Sequence, residues 1–385
     1  MSGSRAHAAR QQEIKDQRME NLWNTAEADK AETGLDLRVY SSRLIGCDPA
    51  MVLHGGGNTS YKGIVTDRFG AERQVIWVKA SGFDLGTMGV EGFTALDLPA
   101  VLALADLEAL SDSDMVAEVK RARLDPQAAA ASIEAIVHAL FPAAYVDHSH
   151  ADGVLTVSNS LNGASLLKEI YGPRVMILPY VKPGFDLARQ MRSAILSPEF
   201  VETDAIILEH HGVFTWGETA RESYDRMVAI CTRAEEWLAD RVASLPTAPP
   251  IETDPVVIAR LRGAASRLAG RALISGPAAV LPIAEIAEVA QLSRHGTLTP
   301  EHVIHNKPFP AVVADEPEKA LEDFAVEYQA YVARGGDVDL TPLPPHPHWA
   351  LLADGAVRSF GPTLARARVS ADVAAANLRA LRLAS

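Results

Sequence analysis

The sequence predicts an α/β protein of two domains, the first larger than the second, on three observations. The chain has 385 residues, more than one hydrophobic core comfortably serves. Between residues 47 and 242, short apolar runs alternate with longer segments of helical period, as in an α/β domain. A proline-rich stretch, "ASLPTAPPIETDPV", then interrupts the helical pattern before mixed segments resume. These divide the chain into a first domain over 1–242, a linker over 243–256 and a smaller α/β domain over 257–385.

Residues 12–46 read as helix, with Leu22, Trp23, Leu35, Leu37, Val39 and Leu44 facing inward. "MVLHGGGNTSYKGIV" is an apolar run broken by glycines and resumed, the pattern of strand, loop and strand. "QVIWVKASGFDLGTM" gives a strand over 74–79 and then a polar glycine turn. "DPQAAAASIEAIVHALFP" reads as a helix with Asp125 as N-cap, Pro126 in the first turn and Pro142 past the end. Strands at 143–148, 175–179 and 205–210 alternate with helices at about 154–170, 185–196 and 218–242. The second domain shows helices at 255–270, 282–290 and 316–333, apolar runs at 272–281 and 310–313, and a strand–turn–helix from 349. "ILEHHGVFTWGETARESY" and "LLADGAVRSFGPTLARAR" match in kind if one insertion is allowed, though the second lacks the histidines. They are a degenerate duplication, or two instances of a common strand–turn–helix.

Composition is that of a soluble globular chain, 48% hydrophobic and 22% charged. A net charge of −13 argues against nucleic acid as a partner but leaves room for an anionic small substrate in a locally positive pocket. No apolar run has bilayer length, and the charged N-terminus lacks a secretory core. Cys47 and Cys231 are too few for a disulfide framework or a thiolate cage. A cytoplasmic protein without membrane contact is expected.

The chemistry centres on histidine. In "YVDHSHADG", His148 and His150 stand two apart, so on a strand both imidazoles share a face and can reach one ion. Alone they are equally a polar pair at a strand end. In "LEHHGVFTWG", an apolar run delivers His210 and His211 to a second strand end, where Gly212 permits a sharp turn. Two such clusters favour a three-histidine site with an open position for substrate. Glu134 lies among apolar neighbours on its helix, where a charge is costly unless paired. It is a general acid/base, a displaceable ligand, or a solvated helix residue. His138, four residues on, is a rival ligand or a structural partner of Glu134. The loops "HGGGNTSYKG" and "KASG" bring glycines, Asn58 and Ser81 to positions that can surround an anion, or simply close hairpins. Neither fits a dinucleotide or Walker pattern.

These elements, in this order, resemble the class II aldolase/adducin family over about residues 20–240. "HGGGNTS", "VKASGFDLGTM", "GFTALDL", "SIEAIVHALFP", "VDHSHADG", "VKPGFDL" and "HHGVFTWG" are most similar to the aldolase half of bifunctional rhamnulose-1-phosphate aldolase/alcohol dehydrogenases. "EHVIHNKPFP" and "RSFGPTLARARVS" resemble the segment after that half, and no glycine-rich cofactor motif of a dehydrogenase follows. The resemblance implies a three-layer α/β/α sandwich around a largely antiparallel sheet, where alternation alone would suggest a parallel one. It implies zinc, or Mn²⁺ or Co²⁺, on His148, His150 and His211, with His210 only a neighbour. It implies Glu134 as catalytic residue, and a phosphate subsite at Gly57, Asn58, Ser81, Gly82 and Ser132. Ile133 departs from the Ser-Ser-Glu of fuculose-phosphate aldolases, which implies that one side-chain phosphate contact is absent. Asp147 and Asp152 flank the histidine pair as supporting neighbours.

The implied activity is metal-dependent cleavage of a ketose 1-phosphate, such as rhamnulose 1-phosphate, through an enediolate. Dihydroxyacetone phosphate and an aldehyde would be the products, and a homo-oligomer is expected. Epimerase, decarboxylase or dehydratase chemistry on the same site, and an adducin-like interaction protein, are the alternatives. In the second domain, His302, His305 and Lys307 are read as structural.

Overall fold

The structure, a computed structural model, describes residues 19–242, 245–246, 248–249, 251–335 and 341–384. Two compact units divide between Arg241 and Val242. Part of the proline-rich stretch, and residues 12–18 of the expected first helix, lie outside the described residues.

The first unit is built on strands β1 (Asn58–Thr66), β2 (Glu72–Lys79), β3 (Phe93–Asp97), β4 (Tyr145–Ser149), β5 (Val175–Leu178), β6 (Ala205–Leu208) and β7 (Gly212–Gly217). They form one sheet in the order β3-β2-β1-β4-β7-β6-β5. Every neighbouring pair is antiparallel except β5–β6, so the sheet is largely antiparallel. Local chemistry sets the β1–β2 hairpin: Asp67 Oδ1 accepts from the Phe69 and Ala71 amides, and Gly70 takes φ +82°.

The helices that matter here are α1 (Gly34–Gly46), α2 (Ala135–Leu140), α3 (Asp152–Ser158), α4 (Gly163–Tyr171), α5 (Phe185–Ile195) and α6 (Ala220–Arg241). On one face of the sheet, α2 and α5 bury Ile136, Phe185, Leu187 and Met191 against Ile76, Val146, Ile206 and Phe214. Each such side chain contributes about 1.5–3 kcal/mol. The other face meets α1 and α6. Strand alternation sends Val146 and His148 of β4 toward α2, and Asp147 and Ser149 toward α1 and α6.

Three expected helices are shorter than their patterns. Within 19–46, helix covers only Thr25–Ala28 and Gly34–Gly46, the latter started by a Thr33–Asp36 capping box. Its buried face is Arg38, Val39, Ser41, Ser42 and Ile45, so of the expected inward residues Val39 alone is buried and Leu22 is exposed. The cause is Asp147 beneath it, which calls for Arg38 and not leucine. In 125–142 only Ala135–Leu140 is helical. The alanine run 128–131 is instead extended against the end of β2, with Ser81 N–H donating to Ala130 and Ser132 N–H to Lys79. Sheet pairing there overrides alanine's helix propensity. The expected helix at 154–170 breaks into α3 and α4, with Gly163 so tight on the Ser158 carbonyl that a Cβ would sit 2.3 Å from it.

The second unit has β8 (Ile274–Val280), β9 (Ala311–Val313), β10 (Trp349–Leu352) and β11 (Ala356–Gly361), in the order β8-β11-β10-β9. Its helices are α7 (Pro255–Ala269), α8 (Ile286–Leu292), α9 (Pro300–Asn306), α10 (Pro317–Arg334) and α11 (Leu364–Ala384). The path β8-α8-α9-β9-α10-β10-β11-α11 repeats β4-α3-α4-β5-α5-β6-β7-α6, including one parallel pair and the two antiparallel ones. The final hairpins share their register, Ile207 opposite Val213 and Leu351 opposite Val357, so no insertion is needed to match them. Thr219 and Thr363 then cap the following helices alike, each hydroxyl accepting an amide three residues on. No helix among the described residues is long and apolar enough to cross a membrane.

A candidate metal centre

The end of β4 carries His148, with His150 just beyond it, and the β6–β7 turn carries His211. Their ligand atoms all lie within 4.8 Å of one another. His148 is fully buried, and the ring of Phe214 stacks on it at 4.1 Å. Its Nδ1–H donates to the Val213 carbonyl at 3.0 Å, which leaves Nε2 as a lone pair. That lone pair faces His150 Nε2 at 3.1 Å and Glu134 Oε2 at 3.5 Å. Burial and the neighbouring His150 and His211 push the His148 pKa well below the ordinary histidine value, so the ring is neutral at neutral pH.

Gly212 has a different task from the turn expected of it. The strained residue is His210, at φ +57°. A Cβ on Gly212 would lie 2.4 Å from the Ser149 carbonyl and 2.7 Å from His148 Cε1, so glycine is what lets the histidine rings close in. His210 itself turns away to Asn159, with Nδ1 and Oδ1 2.9 Å apart.

Glu134 sits at the N-cap of α2, not within the helix, and is 4% exposed. Oε2 accepts from Asn58 Nδ2 at 2.7 Å, while Oε1 has no hydrogen-bond partner and stands 3.5 Å from His211 Nε2. Asn58 pairs across the β1–β4 ladder with His148, which brings the amide to the carboxylate. Its Nδ2 also donates to Ser132 Oγ at 3.0 Å, so its Oδ1 must accept, and the donor is His138 Nε2–H. His138 Nδ1 then accepts from Ser60 Oγ at 2.8 Å. Burial drives His138 down to about 3, keeping it neutral. It is therefore a structural link behind Glu134, apart from the histidine cluster.

The loops expected to hold an anion come together, though unequally. Gly55, Gly57 and Gly82 all take positive φ, and a Cβ on Gly55 would be 4.0 Å from the Gly82 carbonyl. Ser81 and Gly82 are exposed, with open space above Gly82. Gly57 is buried, and a Cβ there would fall 2.5 Å from the His148 carbonyl. Asn58 is held by Glu134, Ser132 and His138. Sequence reading passed over Lys79, which is buried at the end of β2 and donates to the Gly55 carbonyl at 2.6 Å. Its signal was a lysine following four hydrophobic residues in "VIWVKASG". Its charge is among the influences lowering the His148 pKa. Asp147 faces away from the cluster and pairs with Arg38 at 2.6 Å, both fully buried, while Ser223 donates to its other oxygen. Asp152 opens α3 and is buried.

The three imidazoles with a carboxylate oxygen aimed among them fit a divalent ion. Three imidazoles with ligand atoms within 4.8 Å of one another, beside a buried carboxylate, are a donor set that a divalent cation satisfies. Comparison with known proteins shows the family. Residues 38–238 match the Class II Aldolase and Adducin N-terminal domain, and residues 252–385 match the Aldolase class II second domain. The chain belongs to the class II aldolase and adducin family.

Among its relatives is a Bacillus subtilis (strain 168) protein described as the uncharacterized oxidoreductase YuxG, 31% identical over 340 residues. The match covers 82% of this chain and 49% of that protein, so the chain spans about half the length of the curated relative it matches. The N-terminal class II aldolase domain of a conserved Thermoplasma acidophilum protein is 38% identical with a TM-score of 0.53, covering 57% of this chain and 99% of that one. An L-fuculose-1-phosphate aldolase from Thermus thermophilus is a more distant likeness, at 19% identity and a TM-score of 0.33, covering 53% and 95%.

Proposed function

We propose that the protein is a metal-dependent aldolase that cleaves a ketose 1-phosphate, such as rhamnulose 1-phosphate, into dihydroxyacetone phosphate and an aldehyde. The observation that carries this reading is the split duty of Glu134, with one oxygen held by Asn58 and the other unpartnered beside His211. His148, His150 and His211 would hold the ion, with zinc the choice best suited to three imidazoles and Mn²⁺ or Co²⁺ as substitutes. When bound, such an ion supplies Lewis-acid polarisation of the substrate carbonyl and stabilises the enediolate.

The chain's own residues do the rest. In cleavage the C4 hydroxyl gives up its proton to a second acid/base group as the C3–C4 bond breaks, and Glu134 Oε1, free because Oε2 is occupied, would deliver a proton to the carbon next to the carbonyl. Burial keeps bulk water from that carbon. Asn58, oriented by His138, fixes the carboxylate plane and so the position of Oε1. The phosphate is assigned to the exposed Ser81–Gly82 turn beside the glycine loop at 54–57, with Ser132 at its edge. Lys79 supplies local positive charge in an otherwise acidic chain. Assembly as a homo-oligomer in the cytoplasm belongs to the same reading, as does the second unit as a degenerate repeat of the second half of the first.

The test incubates the metal-loaded protein with rhamnulose 1-phosphate and other ketose 1-phosphates, following released aldehyde and triose phosphate. Released aldehyde supports the reading. Epimerised, dehydrated or decarboxylated product without aldehyde would overturn it in favour of related chemistry. Full activity in a His150→Ala protein shown to be metal-free would also sink it.

A further inference from the structure

The second unit holds a cavity of about 290 Å³ whose polar lining is Arg271, Arg366, His305, His346, His348 and Ser370, with no acidic side chain. In a chain of net charge −13 such a lining is not a sample of the surface. The remaining wall includes Ile304, Leu343 and Phe360. We propose that this cavity is a binding site for a small hydroxylated phosphate ester, separate from the histidine cluster of the first unit.

The wall is preformed. Lys307 is buried, with its ammonium over the Tyr328 ring at 3.9 Å, and it donates to the carbonyls of Pro344 and His346. That pins the backbone carrying both histidines. His346 is 4% exposed, lines the cavity, and its Nδ1 meets no hydrogen-bond partner, a buried polar atom that a ligand would satisfy. His348 donates from Nδ1 to the His305 carbonyl, which leaves Nε2 as an acceptor for a ligand hydroxyl. Burial holds His346 at about 3 and His348 at about 4, so both rings are neutral and the anion's charge falls to the arginines.

Arg271 and Arg366 are exposed at the cavity, and planar guanidinium forks suit phosphate oxygens. Arg366 lies in the first turn of α11, a helix long enough for its N-terminal dipole to add to the attraction. The volume is at the lower limit of small-molecule sites, which fits an ester of a few carbons with its chain on the apolar wall.

The experiment uses the full chain labelled with ¹³C-histidine and titrated with glycerol 2-phosphate. The His346 ring signal is assigned by its loss in His346→Gln. That signal should shift and saturate, and apparent affinity should fall about tenfold for each of Arg271→Ala and Arg366→Ala. Both arginines are exposed, and an unchanged thermal midpoint confirms that the variants fold. No shift of the His346 signal, an equal shift in the double variant, or the same shift with sodium chloride at matched ionic strength would overturn the proposal. Acetate shifting the signal where the ester does not would replace phosphate with carboxylate and equally defeat it. The readout persists in chelator-treated protein, so it is independent of whether the first unit is an aldolase.

Discussion

Asn58 donates to Glu134 Oε2 at 2.7 Å and so fixes a buried carboxylate that faces the histidine cluster. That amide is itself aimed by His138, and the order Ser60, His138, Asn58, Glu134 forms one line of hydrogen bonds. Asn58→Leu should remove the donor and leave both Glu134 Oε2 and His138 Nε2 unsatisfied. The expected loss is about 1–3 kcal/mol of stability and roughly 10–100-fold in activity, with metal content unchanged. Urea melts, aldehyde release and elemental analysis on the same sample check all three.

Metal removal should be visible without any substrate. Dialysis against a chelator should lower the melting temperature of the protein, and added zinc should restore it, by linkage of binding to folding. His148→Ala or His211→Ala should cut bound metal from about one equivalent per chain to near none. Equal metal content in wild type and variants would remove the cluster from consideration.

Acid should weaken the fold through His138. Its folded pKa of about 3 lies below the ordinary 6.5, so the unfolded chain takes up a proton that the native ring refuses. This penalty is absent above about pH 6.5 and grows as pH falls toward 3, by about 1.4 kcal/mol per pH unit. Denaturant midpoints at pH 7.5 and 5.5 should therefore differ more in wild type than in His138→Gln.

Gly212→Ala asks for a Cβ 2.4 Å from the Ser149 carbonyl and 2.7 Å from His148 Cε1. The expected cost is about 1–3 kcal/mol from overpacking, together with weakened metal retention. Calorimetry and metal titration separate the two effects.

Breaking the buried pair should be severe. Arg38→Met leaves Asp147 charged and fully buried with only Ser223 beside it, for an expected loss of about 3–5 kcal/mol. A loss below 1 kcal/mol in chemical denaturation would show that Asp147 protonates without cost, a direction in which burial already pushes it.

How much of this was legible depended on where the information lay. His148, His150 and His211 sit at ends of strands whose apolar runs were plain, so periodicity put His148 and His150 on one face, while only the family resemblance chose His211 over His210. Glu134 was found for a sound reason, a charge among hydrophobic residues, but its N-cap position was hidden by an alanine run that pairs with β2. Lys79, Asn58 and His138 owe their roles to long-range contacts across β1, β2 and α2, which no local pattern records. Helix α1 misled because its inward face is polar, matched to an aspartate more than a hundred positions away. The shared path of the two units was only half visible: the hairpin and helix left a trace in sequence, whereas the parallel pair and its crossover did not.

That shared path has a consequence for the second unit. In the common hairpin register, Gly355 of the β10–β11 turn stands where the first unit has His211. Gly355 takes φ +93°, and a Cβ on it would lie 2.3 Å from the Leu281 carbonyl. A single substitution to histidine at that point cannot recreate the ligand, because β8 and its following turn have closed over the space. Main chain occupies the place a side chain would need, so this turn cannot supply a ligand of the kind His211 would be, whatever else the second unit's surface comes to bind.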